Sequence, residues 1–373
     1  MIKILVAGDF APSARLAKQI ETKNFGEIFP DNLVKIIKSA DYSLVNFESP
    51  IIEEKFKPIE KCGPILGCSS NAADAIKYAG FTAVTMANNH IFDYGSDGLY
   101  KTIECCKKNG LDVVGVGDNL HNAERILYVE KRGKKMAIIN CCEHEFSIAT
   151  NTMPGANPLN PIHQYYSIQE AKKNADYVLI IVHGGHEYYQ LPSLRMQETY
   201  RFFIDAGADA IVNHHQHCYS GYEVYNGKPI FYGLGNFGFD KINRRTDKKW
   251  TEGYIVEFDF DINISFKIYP YCQYGKEDKI KLLDKNSFNR EIYFLNEILN
   301  NQKLLYSATE SYLKEATKDM EHIFFPIKNR YIRFFWNKIY PKFISNKSRI
   351  LILAHLQCES HLVKVLYNLK YNR

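Results

Sequence analysis

The sequence predicts an α/β layered domain with antiparallel hairpins added to its sheets. Short β-branched runs alternate with amphipathic stretches at helical spacing, and Gly or Asp/Asn turns join them. Past residue 120 the texture changes to strand, turn, strand. Together these patterns describe helices layered on sheets.

The elements follow in order. Ile2 to Ala7 reads as a strand, "DNLVKIIKSA" as a helix and "YSLVNF" as a strand. "SSNAADAIKYAG" reads as a helix with a Ser N-cap and a terminal Gly. "FTAVTMA" is a strand, "GLYKTIECCKKNG" a Gly-ended helix and "LDVVGVG" another strand. "RILYVEKRGKKMAIINC" and "YEVYNGKPIFYGLGNF" are strand pairs, the second around an Asn226-Gly227 hairpin signal. "YVLIIVHGG" and "DAIVNHHQH" are strands ending in histidines, with the helix "LRMQETYRFFIDAGA" between them. "GYIVEFDFD" and "ISFKIYP" continue the strands to about residue 270. No internal repeat is visible.

A chain of 373 residues is long enough for one large domain and a smaller appendage. Its 46% hydrophobic and 24% charged residues exclude a disordered chain. The opening "MIKILVAGDF" is too short an apolar run for a signal segment or a membrane span and reads as a strand. Nine cysteines, an odd number that includes the adjacent pairs Cys105/Cys106 and Cys141/Cys142, do not form a disulfide framework. A reducing cytoplasm is the expected location, with peripheral attachment at the cytoplasmic membrane face as the addition to test.

The functional signal is where the polar residues fall. Five strand-like runs end in a potential metal ligand: Asp9, Glu48, Asn89 with His90, His183, and His215 with His217. In open α/β sheets, ligands collect beyond the carboxyl ends of strands, so these residues can converge. Carboxylate, amide oxygen and imidazole form a mixed set suited to Mn²⁺, Fe²⁺ or Zn²⁺, without the cysteines of a closed zinc site. A carboxylate such as Glu48 can bridge two cations, and water held there becomes a nucleophile near neutral pH. Taken singly, each residue has a plainer reading. Asp9 could cap a turn, His183 could be a core histidine, and "HHQH" could be a surface cluster. On an extended segment His215 and His217 would share a face.

The pieces "GDF", "NFESP", "GFTAVTMANNHIFDYGSDGL", "VHGGHEY", "AGADAIVNHHQH" and "GKPIFYGLGNF" resemble the motif series of the bacterial capsule-synthesis protein CapA family. That family is a branch of the calcineurin-like metallophosphoesterase superfamily, and the resemblance covers about residues 1 to 260. It implies a four-layer α/β/β/α metallophosphoesterase-like sandwich, with a C-terminal helical extension here. It also implies one or two divalent cations, Mn²⁺ first and Zn²⁺ or Fe²⁺ next. Asp9 matches the first ligand, Glu48 the bridging carboxylate, Asn89 the amide ligand, and His183, His215 and His217 the imidazole ligands. His90 matches the histidine beside the reacting group, with Asp93 expected to orient its ring. Asn88 and Glu187 are expected to contact substrate, and Asn236, in the Gly-rich "GLGNF", to contact substrate or to support a ligand from behind. The chain departs from the superfamily in two places: Ala11 stands where a histidine is usual, and Glu48 where an aspartate is usual.

The expected divisions are a catalytic domain over 1–275 and a basic, aromatic-rich helical extension over 286–373. Residues 301–373 carry 13 Lys and Arg against 5 Asp and Glu. The stretch 328–349 is therefore expected to meet an anionic membrane surface, a protein partner or its own domain. No nucleic acid is expected, since no binding motif accompanies the charge. The function expected is metal-dependent hydrolysis in capsule, exopolysaccharide or poly-γ-glutamate synthesis, through a metal-bound hydroxide with His90 as general acid. Its substrate would be an envelope polymer or precursor. The alternative is a non-catalytic metal-binding subunit of a capsule polymer synthesis complex.

Overall fold

The computed structural model describes residues 1–317 and 346–371. One sheet holds β1 (Ile2–Phe10), β2 (Tyr42–Phe47), β3 (Ala83–Thr85) and β4 (Asp112–Val114) as parallel neighbours in that order. β5 (Val116–Gly117) pairs with β8 (Gly155–Ala156) in a separate ribbon. The second sheet is built on β7 (Lys134–Cys142), β9 (Tyr177–His183) and β10 (Ala210–His214), also parallel. It is edged by β6 (Leu127–Lys131) on one side and by the hairpin β11 (Tyr222–Tyr225) and β12 (Lys228–Phe231) on the other. The chain then returns to the first sheet through β13 (Asn236–Gly238), β14 (Glu252–Phe260), β15 (Ser265–Gln273) and β16 (Ile280–Leu282).

Strand alternation makes the layers. Successive side chains of β1 point to opposite faces. Ile2, Ile4 and Val6 enter a core shared with Met136, Ile138, Leu179, Ile181 and Val212 of the second sheet, so the two sheets pack face to face. Leu5 and Ala7 enter a core with Leu16, Leu33, Ile76 and Leu99 from helices on the outer face. The second sheet does the same with Ile139, Ile180 and Ile211 against Ile168, Met196, Tyr200 and Phe203. The result is α/β/β/α, the four layers expected.

Several expectations need adjusting. The run "LDVVGVG" is not one strand: Gly115, at φ +91, turns the chain so that β4 and β5 join different sheets. Two helices of eight or more residues pass unnoticed in the sequence, Ala14–Glu21 and Pro161–Asn174. The first sheet continues past 275 to β16, and the next helix, Lys285–Asn300, starts directly after it. Ser70 precedes its helix without a side-chain cap bond, while Gly80 closes it at φ +103 as expected. The basic stretch 328–349 lies outside the described residues except for its last four, which open the helix Asn346–Gln357. Among the described residues, no helix is long and apolar enough to cross a membrane.

One close approach fixes the first strand beside the site. A Cβ on Gly8 would lie 1.9 Å from the Gly235 carbonyl oxygen, which itself accepts the Asp9 amide at 3.1 Å. Gly8→Ala is therefore expected to destabilise the fold by about 1–3 kcal/mol or more, because backbone must move to admit the methyl. A denaturant midpoint equal to wild type would contradict this.

Candidate metal centre

The parallel order of β1, β2 and β3 opens their carboxyl ends on one edge, and β9 and β10 open theirs against it. Asp9 lies near the end of β1 and Glu48 just past β2. Asn88, Asn89 and His90 follow β3, while His183 and His214 are the last residues of β9 and β10. All are buried.

The structure draws two groups of ligand atoms together, each within 4.8 Å: Asp9, Glu48 and His217, and Glu48, His183 and His215. Glu48 belongs to both. Its Oε1 is 3.4 Å from His183 Nε2 and 3.9 Å from His217 Nε2. Asn89 Oδ1 is 3.1 Å from His183 Nε2, which also lies 3.2 Å from His215 Nδ1. Asp9 Oδ2 is 3.6 Å from His217 Nδ1.

The turn "HHQH" is not extended. His215 and His217 have φ of +90 and +54, the left-handed region that non-glycine residues rarely adopt. Such strain is held only where surrounding structure enforces it. Its effect is to bring both rings together, with centroids 6.0 Å apart.

Electrostatics test whether a cation fits. Both Glu48 carboxylate oxygens are buried and without a hydrogen-bond partner. Burial, then Asp9, pushes the Glu48 pKa well above the carboxylate range. Burial likewise raises Asp9 despite His217 and the Asn46 amide, 2.7 Å from Asp9 Oδ1. Burial lowers His183, His215 and His217, keeping them neutral. A buried carboxylate with no partner and neutral imidazoles around it is the donor set a divalent cation satisfies. The residues fit.

His90 stands beside these groups in another arrangement. Its Nδ1 is 2.7 Å from Asp93 Oδ2, and Lys61 reaches both His90 Nδ1, at 3.1 Å, and Asp93 Oδ1. The Leu66 amide donates to Asp93 Oδ2 at 2.7 Å. The Gly-rich loop 61–68 thus packs onto the His90 ring support.

Asn88, expected at substrate, and Asn236, expected at substrate or behind a ligand, are both turned inward. Asn88 Oδ1 accepts from the His90 and Ile91 amides at 3.2 and 2.9 Å, and its amide donates to Phe47 O at 2.9 Å. It braces the loop that carries Asn89 and His90. Asn236 is fully buried; its Oδ1 meets His217 Nδ1 at 3.0 Å, and its amide donates to His217 O and Trp250 O. Asn236 therefore orients an imidazole, the supporting one of the two roles expected of it. Asn236→Ala is expected to weaken cation binding about 10–100-fold with the fold retained. Unchanged affinity in a metal titration would remove it from that role. Glu187 is exposed. Although the residue keeps surface exposure, the protein atoms crowded round its carboxyl desolvate and so raise it, and His217, His215 and His90 outweigh this to hold it below its ordinary pKa.

Four residues at the site escape the sequence reading. Asn46 hydrogen-bonds Asp9 and lies 3.2 Å from His183 Nδ1. His214 Nδ1 is 3.5 Å from Asp9 Oδ1, and neither ring nitrogen has a hydrogen-bond partner. Glu145 Oε2 accepts from Asn89 Nδ2 at 3.2 Å, and its Oε1 is 3.7 Å from His215 Nε2. Lys61 is the fourth. His214 is visible within "HHQH"; the others sit in a strand interior or in loops with no distinguishing pattern.

Comparison with known proteins adds the following. Residues 3–241 match the family model described as bacterial capsule synthesis protein PGA_cap. The chain is similar to the capsule biosynthesis protein CapA of Bacillus anthracis, 38% identical over 218 residues, covering 56% of this chain and 53% of that one. It is also similar to the PGA biosynthesis protein CapA of Bacillus subtilis strain 168, 37% identical over 244 residues, covering 64% and 63%. The aligned part thus spans between half and two thirds of these relatives' own length. Among solved structures it is similar to the calcineurin-like phosphoesterase YfkN from Bacillus subtilis, at a TM-score of 0.41 and 14% identity, covering 83% of this chain and 98% of that one.

Proposed function

The chain belongs to the bacterial capsule synthesis protein family, matched over residues 3–241, and from that premise we propose that it is a metal-dependent hydrolase of the phosphoesterase type. Its setting is capsule, exopolysaccharide or poly-γ-glutamate synthesis, and its substrate an envelope polymer or precursor. The observation that carries the reading is Glu48: a fully buried carboxylate, unpartnered at both oxygens, shared by two groups of neutral imidazole and carboxylate donors.

Asp9, Glu48 and His217 would hold one cation. Glu48, His183 and His215, with the Asn89 carbonyl beside them, would hold a second. Mn²⁺ suits this oxygen-and-nitrogen set, with Zn²⁺ or Fe²⁺ as the alternatives. Bound there, divalent cations polarise the scissile group and make water acidic enough to serve as nucleophile.

The chain's own residues supply the rest. Asp93 takes up His90 Nδ1 at 2.7 Å, which leaves Nε2 as the nitrogen able to give a proton to the leaving oxygen. Lys61 and the Leu66 amide hold Asp93 from its other sides, so the ring cannot swing freely. Asn88 fixes the loop behind it. Asn236 sets the His217 ring by engaging Nδ1, leaving Nε2 toward Glu48.

The test is a substrate panel run on metal-reconstituted protein: a phosphomonoester, a phosphodiester and a γ-glutamyl amide. Turnover of a phosphoester that requires added cation supports the reading. A folded, metal-loaded protein that turns over none of the three would support an assembly subunit instead.

A further inference from the structure

Beyond Glu145 the candidate centre is flanked by the C-terminal helices. Glu145 sits in the loop after β7, Cys358 between the helices Asn346–Gln357 and Glu359–Tyr371, and His361 in the first turn of the latter. We propose that Glu145, Cys358 and His361 form a further cation site, for a divalent ion of the zinc class, that pins the last helix to the rim of the candidate centre. The proposal does not depend on hydrolysis.

One ligand atom from each of the three lies within 4.8 Å of the others. Cys358 is fully buried. His361 Nδ1 is buried with no hydrogen-bond partner among the described residues. Thiolate, imidazole and carboxylate are the three donor types zinc accepts, and three protein ligands leave a fourth tetrahedral position open. On binding, the Cys358 S–H proton passes to water as the sulfur–metal bond forms. Without a cation, Cys358 Sγ lies 3.5 Å from Glu143 Oε2 and 3.4 Å from Ser360 Oγ. An overlapping group of Glu143, Cys358 and Glu359 shares the thiol. There Glu359 is already held by His144, through Nδ1 at 2.7 Å and the amide at 2.8 Å, and Glu143 by the Ser360 amide at 3.2 Å. Glu145 is itself engaged at Oε2 by the Asn89 amide at 3.2 Å, so it is the unpartnered His361 Nδ1 that favours the first group.

Two of its three residues, Cys358 and His361, lie beyond the matched family segment 3–241, while Glu145 lies within it. It would reinforce contacts that already hold the tail against the centre. Tyr312 stacks on Tyr189 at 4.1 Å and meets His186 at 5.1 Å, while Lys364 Nζ sits 5.7 Å from the Tyr312 ring centre.

Cobalt substitution separates this site from the central one, because neither central group contains a cysteine. The full chain loaded with Co²⁺ is expected to show a thiolate-to-cobalt charge-transfer band in the near ultraviolet. Cys358→Ser should abolish the band and remove one equivalent of cation per chain, while Glu48→Ala keeps it. Should Cys358→Ser fail to fold, His361→Gln serves. It is expected to raise the cobalt concentration needed for the band by at least the roughly 10–100-fold that loss of a supporting contact costs. A wild-type chain that binds cobalt without the band overturns the site. So does a band that survives Cys358→Ser or disappears in Glu48→Ala.

Discussion

Glu48→Ala is expected to empty both groups of the candidate centre at once, because the one carboxylate belongs to each. Bound cation at the centre should fall to near zero, and cation-dependent turnover with it. Stability offers a second readout with an informative sign. A ligand that binds only the folded state stabilises it by about 4.1 kcal/mol at 1,000 times its dissociation constant, so wild type should gain that much from added cation. The variant should gain nothing from the centre. Without cation, the order changes. Wild type then buries two carboxylate oxygens with no partner, an arrangement that costs about 1–3 kcal/mol for a neutral group and more for a charged one. Metal-free Glu48→Ala should therefore be no less stable than metal-free wild type, the small cavity offsetting part of the gain. Thermal unfolding with and without cation, beside elemental analysis, reads both effects. Full stoichiometry in the variant would end the sharing role.

His90→Ala should behave in the opposite way: cation content and fold intact, turnover reduced about 10²–10⁴-fold, the range typical for loss of a positioned general acid. The reason is geometric. His90 belongs to neither ligand group, and its Nδ1 is engaged by Asp93. The loss should be confined to substrates with a poor leaving group, since a leaving oxygen that is already acidic needs no proton. Comparing an alkyl and a nitrophenyl phosphoester in the variant checks this. If His90→Ala loses cation instead of rate, the ring is a ligand and the assignment fails.

Strand ends are the part of this site that sequence exposes well. β1, β2, β9 and β10 are apolar runs that stop abruptly in Asp, Glu or His, and it is the recurrence at several strand ends that marks the site. The layer order follows from the same runs. What escapes the eye has physical causes. Pro161–Asn174 buries Gln164, Ile168 and Ala171 while Ile162 and Tyr166 stay exposed, so its apolar residues do not mark one face. Ala14–Glu21 is two turns with only Leu16 and Ile20 buried. Gly115 splits one apolar run between two sheets through its positive φ, and only glycine fits there, since a Cβ would meet Asn140 Oδ1 at 2.1 Å. Extended spacing puts His215 and His217 on one face; the chain instead uses left-handed backbone at both to reach a similar convergence. Asn236 reads as a substrate or supporting contact because it follows a Gly-rich turn, and its register beside Asp9 turns it inward onto His217, the supporting role. Glu145 and Lys61 lie in loops, where proximity to the centre is a tertiary fact with no local trace.

Anomalous diffraction from crystals of the full chain equilibrated with Mn²⁺ tests the shared-carboxylate centre most directly. Two peaks are predicted, on either side of the Glu48 carboxylate and about 3.5–4 Å apart, as in two-metal hydrolytic sites. One should be bordered by Asp9 and His217, the other by His183, His215 and Asn89. A single peak, or peaks that leave Glu48 outside the ligand shell, would contradict it.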